Sequence, residues 1–151
     1  MGDSDRIERH RQWIAGILFV LGAPQGLIGL WALFAPRNFY KNFGIGSGGW
    51  VSTLGAYDEH LVRDVGALFC ALAVVMIAAA IRGRRSLAYT AVAAWLTFAV
   101  PHMVWHMFHL GPFSLGNAIA NVVSLGWTVL GALIVLVLLH DSKRPARARA
   151  R

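Results

Sequence analysis

His102, His106 and His109 recur at i, i+4 and i+7, a spacing that sets side chains on one face of a helix. Upstream stands a second polar cluster, Tyr57-Asp58-Glu59-His60-Leu61-Val62-Arg63-Asp64. Imidazoles with a carboxylate form ordinary Zn, Fe, Mn or Cu sites, and His102 and His106, one turn apart, could share an ion with Asp64. Met103 and Met107 would add soft donors for Cu(I), although their helical phase differs from that of the histidines. Two other chemistries use the same groups. Haem takes axial histidines from facing helices, and His60 and His106 lie in different segments. A quinone or other lipid-soluble redox molecule would be hydrogen-bonded by His and Asp and stack on Trp105 or Phe98.

The elements that must carry these residues are apolar. The chain is 57% hydrophobic and 14% charged, whereas about a quarter of a soluble domain is charged. Four apolar runs stand out, at about 13–34, 60–81, 86–109 and 115–140. Each suffices to cross a hydrocarbon layer of ~30 Å. The fold class is therefore all-α, an integral membrane four-helix bundle over 13–140, with a solvated head at 1–12 and a basic tail at 141–151. The first run exceeds the ~7–15 residues of a signal-peptide core and no Ala-x-Ala site follows it, so it reads as an anchor. Its Gly22-Ala23-Pro24-Gln25-Gly26 interruption needs neighbouring helices to satisfy the backbone, which turns Gln25 toward the bundle.

The connection 35–59 is long, and its segment 36–43 reads as a helix lying in the interface with Phe39, Tyr40 and Phe43 at headgroup level. A Gly-rich joint at 44–49 and a surface segment at 50–55 follow. Trp13, Trp31, Trp50 and Tyr57 have the character of aromatic-belt anchors. His10 and His140 fall at the ends of spans, where solvation is expected, and Pro101 should kink the third span. The lone Cys70 excludes a disulfide within the chain.

Lys and Arg near the span ends give the orientation. The head has three, the turn after the second span three and the tail five, while the first connection has two and the last none. The positive-inside rule then puts both termini in the cytoplasm. His60 and His109 accordingly fall at the same, outer face. At 1.5 Å per residue, Asp64 and His106 lie ~6 Å below the outer helix ends, Asn121 ~9 Å, His102 ~12 Å and Gln25 ~15 Å. These residues define an expected polar cup, with His60, Arg63 and His109 at its rim. Asn117, Asn121, Ser124, Thr128 and Gly131 add a small-and-polar stripe on the fourth span, of the kind by which membrane helices pack. Against a binding role, Arg63 with Asp58, Glu59 or Asp64 could instead form an ion pair that fixes helix register. Between residues 64 and 82, 86 and 101, and 121 and 140 there is no Asp, Glu, Lys, Arg or His, which disfavours a conduction path through one chain.

Two segments resemble the DoxX-like group of small bacterial membrane proteins: Pro36-x-x-Phe39-Tyr40-x-x-Phe43 after the first span, and Arg63-Asp64-Val65-Gly66-Ala67-Leu68 opening the second. The resemblance implies a four-span fold in the bacterial inner membrane and an association with quinone-linked or sulfur-linked redox complexes. It carries over no catalytic residues. Two readings stand at this point. One is a membrane protein whose cup binds a metal ion, haem or quinone within a redox assembly. The other is a non-catalytic accessory subunit whose polar groups serve helix packing. Both expect homo- or hetero-oligomers through faces such as Ala71, Val75 and Ala79, and anionic lipid at the basic tail. The net charge of +7 is membrane-flanking and no recognition motif accompanies it, so nucleic acid is not an expected partner.

Overall fold

The structure is a computed structural model that describes residues 3–46 and 48–141, with side chains from residue 8 onward. The basic tail and its expected lipid contacts lie outside the described residues. Among the described residues five helices follow in order: α1 (Asp3–Phe34), α2 (Pro36–Asn42), α3 (Glu59–Arg82), α4 (Arg85–Met107) and α5 (Leu115–Asp141). Four of them are long and apolar enough to cross a membrane, over Glu8–Phe34, Glu59–Arg82, Arg85–Met107 and Leu115–Asp141. The chain is an all-α, multi-pass membrane bundle. The head, expected as a solvated tail, continues α1 outward from the apolar stretch to Asp3.

The long helices form a ring in which α1 packs on α3, α3 on α4, α4 on α5 and α5 back on α1. The α1–α3 contact is the most extensive of these, and glycine makes it so. A Cβ at Gly66 would lie 2.7 Å from the Leu33 amide nitrogen and 2.8 Å from the Gly29 carbonyl oxygen. A Cβ at Gly22 would meet the Met76 Cβ at 2.8 Å. Backbones that approach this closely gain dispersion contact along their length, the main source of helix association where lipid is as apolar as the side chains. Ala79 belongs to the buried core, so it serves the fold rather than a partner, while Ala71 remains exposed.

Helix ends are held by named groups. Asp58 caps α3, its carboxylate accepting from the Leu61 amide at 3.1 Å, and Gly83 ends α3 in the left-handed region at φ +60°. The Arg63 guanidinium donates to the Leu33 carbonyl at the end of α1 and pairs with Glu59 at 2.9 Å. Arg85 likewise donates to the Leu139 carbonyl near the end of α5. Each arginine thus ties its own helix to a carbonyl near the described end of another. The α4 helix runs through Pro101 without ending there. Between the two ends of the bundle, Leu18, Met76, Val92, Trp95, Val135 and Leu139 form a fully buried apolar core.

Segment 35–58 covers one end of this ring. Phe39 and Trp50 are buried rather than sunk in a lipid headgroup layer. Trp31, Phe39, Phe43 and Trp50 make successive ring contacts at 5.6, 4.8 and 6.0 Å between centroids. Gly44 has φ +128°, and a Cβ there would lie 2.5 Å from the Trp50 ring, so the joint folds Trp50 back over Phe43. The Trp50 indole N–H donates to Asn117 Oδ1 of α5 at 3.2 Å, and the Tyr40 hydroxyl donates to the Gly55 carbonyl at 2.6 Å. The connection is a lid, and Trp50 is its latch rather than a belt anchor. Trp50→Phe keeps the ring and removes one hydrogen bond, leaving Asn117 unpaired. The expected loss is about 0.5–1.5 kcal/mol, read as a lower thermal midpoint and faster proteolysis of the 44–56 segment in detergent.

Candidate functional site

Beneath the lid lies a cavity of about 430 Å³ to which all five helices contribute. Its walls are mainly apolar and aromatic: Ile28, Phe39, Phe43, Val65, Phe69, Phe98 and Trp105 among them. The polar lining is sparse and comes from separate helices. Gln25 enters from α1, His102 and His106 from α4, and Asn121, Ser124 and Thr128 from α5.

Each is aimed by its helix. On α5, Asn121 and Gly131 are both buried, and Gly131 packs against Leu21 of α1. Those contacts fix the phase of the polar stripe toward the bundle. Ser124 and Thr128 return their hydroxyls to the Asn121 and Leu125 carbonyls at 3.0 and 2.7 Å. The Thr128 carbonyl accepts from the Trp95 indole N–H at 3.1 Å, which ties α4 to α5 at the cavity floor. On α4, Phe98 meets Phe69 of α3 edge-on at 5.1 Å. His102 stacks on Phe98 at 5.0 Å, and His106 meets the His102 ring edge-on at 4.6 Å.

Three buried polar atoms have no hydrogen-bond partner among the described residues: Gln25 Nε2, His106 Nδ1 and Asn121 Oδ1. All three belong to residues on this one cavity's wall. Leaving a buried donor or acceptor unpaired costs about 1–3 kcal/mol each. The three atoms themselves have almost no accessible surface, so a small side-chain rotation would be needed to turn each toward the chamber.

The structure divides the expected cup. Gln25, His102, His106 and Asn121 line the cavity together, whereas Asp64, His60 and His109 do not. His60 pairs with Asp64 at 3.2 Å on the exposed side of α3, one turn apart. His109 is exposed, stacks on Trp105 at 3.9 Å and has Nδ1 2.7 Å from the Trp105 carbonyl. Arg63 leaves the rim to cap α1. The reason is the phase of α3. Val62, Gly66, Phe69 and Ala73 are drawn against the bundle, and Asp64, two residues before Gly66, is rotated by ~200° from that contact at 3.6 residues per turn.

The expected ligands place different demands on this arrangement. The proposed metal set Asp64, His102 and His106 is not assembled, and no group of three His, Cys, Asp or Glu among the described residues could hold an ion. A pair of axial histidines from facing helices is not formed either, because His60 lies outside the cavity wall. The one carboxylate residue on the wall, Asp58, is engaged as the α3 cap. What remains is a partly open, mainly apolar chamber with neutral hydrogen-bonding groups, within the ~300–1,000 Å³ range of small-molecule sites.

Two contributors went unread in the sequence. Trp50 is one, and the signal for it was the run of glycines before it, which permits a tight reversal. Trp95 is the other; nothing in its local sequence separates it from a lipid-facing tryptophan. Comparison with known proteins finds no matching family model, no matching curated protein and no matching solved structure.

Proposed function

We propose that this protein binds a lipid-soluble quinone in the lidded cavity, as a membrane component of a redox assembly. The observation that carries the reading is that Gln25, His106 and Asn121, each with one buried polar atom left unpaired, line the same aromatic chamber. A quinone ring carries two carbonyl acceptors that become hydroxyl donors on reduction. The Gln25 amide supplies a donor, the Asn121 carbonyl oxygen an acceptor and the His106 ring nitrogen either role according to tautomer. Phe98, Trp105 and Phe69 supply ring faces and edges for stacking.

The cavity also has a side suited to a ligand arriving from lipid. Leu61 of α3 and Trp105 of α4 line it while remaining 61% and 45% exposed. They flank the α3–α4 seam, which is packed more sparsely than the α1–α3 seam. An isoprenoid tail would leave through that seam into the bilayer while the ring stays beneath the lid.

Orientation enters the same reading, with the cavity on the face away from the cytoplasm. Arg37, Lys41 and Arg63 flank the spans at the cavity end, whereas the other eleven Lys and Arg of the sequence flank the opposite ends. That asymmetry supports cytoplasmic termini, and the DoxX-like resemblance points to the bacterial inner membrane. A phosphatase fused after residue 141 should be inactive and a fluorescent protein there bright. Strong phosphatase activity from that fusion would reverse the orientation.

The test of binding is titration of the purified protein with a short-tailed benzoquinone and naphthoquinone. Trp50, Trp95 and Trp105 lie on the wall, so a bound quinone should quench their emission saturably. Organic extraction of the protein should yield quinone in proportion to chain. Linear, non-saturating quenching with no extractable quinone would reject the proposal and leave the accessory-subunit role.

A further inference from the structure

At the opposite end of the bundle, α1, α3, α4 and α5 leave a second cleft of about 300 Å³. Its floor is apolar, with Ile14, Ala80 and Leu139, and its rim is basic, with His10, Arg11 and Arg85. The rim residues are held in place by the fold. Arg85 is anchored by its hydrogen bond to the Leu139 carbonyl. The Arg11 side chain lies over the α3–α4 turn, with Cδ and Nε 3.8 Å from the position of a Cβ on Gly83. Its acidic neighbour Glu8 is 3.9 Å away, and the Arg11 side chain is 68% exposed. That loose pair leaves the planar guanidinium most of its five donors for an anion.

The surrounding field has the same sign. Among the described side chains at this end, Arg9, Arg11, Arg82, Arg84 and Arg85 face only Glu8 and Asp141. The lidded end, with its three cations and three acids, has no such surplus. A cleft at the ends of membrane-spanning helices, with cations above and alkyl groups below, matches a molecule that is anionic at one end and apolar at the other. Basic clefts between spanning helices bind acidic headgroups in this way. A free phosphate would use the rim but gain nothing from the alanine and leucine floor.

We propose that this cleft holds the headgroup of an acidic phospholipid, its phosphate against Arg11 and Arg85 and the first methylenes of its acyl chains on Ile14 and Ala80. The site is separated from the lidded cavity by the apolar core and does not depend on what that cavity binds.

Native mass spectrometry of the full chain in detergent, with equal phosphatidylglycerol and phosphatidylcholine added, provides the test. Phosphatidylglycerol should be retained in preference, at one molecule per chain. Arg11→Gln should lower that retention about fivefold, the effect of one surface cation on an acidic lipid. Ala15→Leu, which fills the floor without changing charge, should lower it as well, and Lys41→Gln at the lidded end should not. Arg11 is exposed and Ala15 stands apart from it chemically, so both variants failing to fold is not expected; a thermal midpoint for each confirms the comparison. Equal retention of the two lipids would overturn the proposal, as would native retention in both cleft variants or an equal loss in Lys41→Gln. Displacement of the lipid by inorganic phosphate at matched concentration would overturn it in favour of a small-anion site.

Discussion

Gly66→Ala is expected to destabilise the bundle by about 1–3 kcal/mol, the usual cost of forcing atoms into a filled interior. The added methyl would meet backbone, the Leu33 nitrogen at 2.7 Å and the Gly29 oxygen at 2.8 Å, and backbone cannot rotate out of the way as a side chain can. Helices α1 and α3 must therefore separate, and with them goes the Arg63 bond to Leu33. The matched control is Gly126→Ala in the middle of α5, where a Cβ would meet nothing within 4 Å. There the same substitution should stabilise by up to about 1 kcal/mol, because alanine restricts the unfolded chain and suits a helix better. Thermal or detergent-titration midpoints of the two variants should move in opposite directions. A Gly66→Ala protein as stable as the native one would mean that α1 and α3 do not touch along their glycines.

Asn121→Leu should separate binding from stability, raising one quantity as it lowers the other. The Asn121 amide is buried with its oxygen unpaired, a cost that an apolar residue of similar size removes. Ligand-free protein should gain about 0.5–1 kcal/mol, the scale of polar contacts within membrane bundles. Quinone affinity should fall about tenfold, equivalent to one lost hydrogen bond of about 1.4 kcal/mol. His106→Leu should show the same pair of changes, since its Nδ1 is likewise unpaired. Asp64→Asn and His60→Gln, on the exposed side of α3, should leave affinity unchanged. Quinone binding unaltered in Asn121→Leu and His106→Leu would remove the cavity from the proposal. A destabilised ligand-free Asn121→Leu would show that the amide already has its partners.

The contrast between these two sets of variants follows from what could be read locally. His102 and His106 were recognisable as a pair because a helical repeat of four residues is a property of the segment alone. The stripe through Asn121 was recognisable for the same reason, and Gln25 because a Gly- and Pro-interrupted span needs neighbours. Asp64 and His60 share a helical face as expected, and the structure pairs them. The error lay in which way that face points. Period gives the angle between residues on one helix and says nothing about the rotation of the helix in the bundle. For α3 that rotation is set by Gly66 against Gly29, a contact between residues far apart in sequence.

The lid shows the same limit in another form. Phe39, Phe43 and Trp50 stood out as an aromatic, glycine-punctuated segment, and an aromatic segment beside a span can serve equally as an interface anchor or a plug. Local composition does not distinguish lipid from the open end of a helix bundle, since both accept aromatic rings. The Trp50–Asn117 hydrogen bond, from lid to α5, decides it.

By itself, then, the sequence determined that this protein is an all-helical, four-span membrane chain, because hydropathy and length are summed along each segment without reference to any other. It also determined which polar residues had to be explained, because an ionisable or amide group in an apolar run is costly wherever the run is placed. Only the tertiary structure decided which of them share a chamber. The glycine contact between α1 and α3 turned Asp64 and His60 outward, and the folded lid covers a chamber lined by Gln25, His106 and Asn121, each with one buried side-chain atom left unpaired. Those outcomes depend on helix rotation and on contacts between distant segments, quantities that no stretch of chain contains alone.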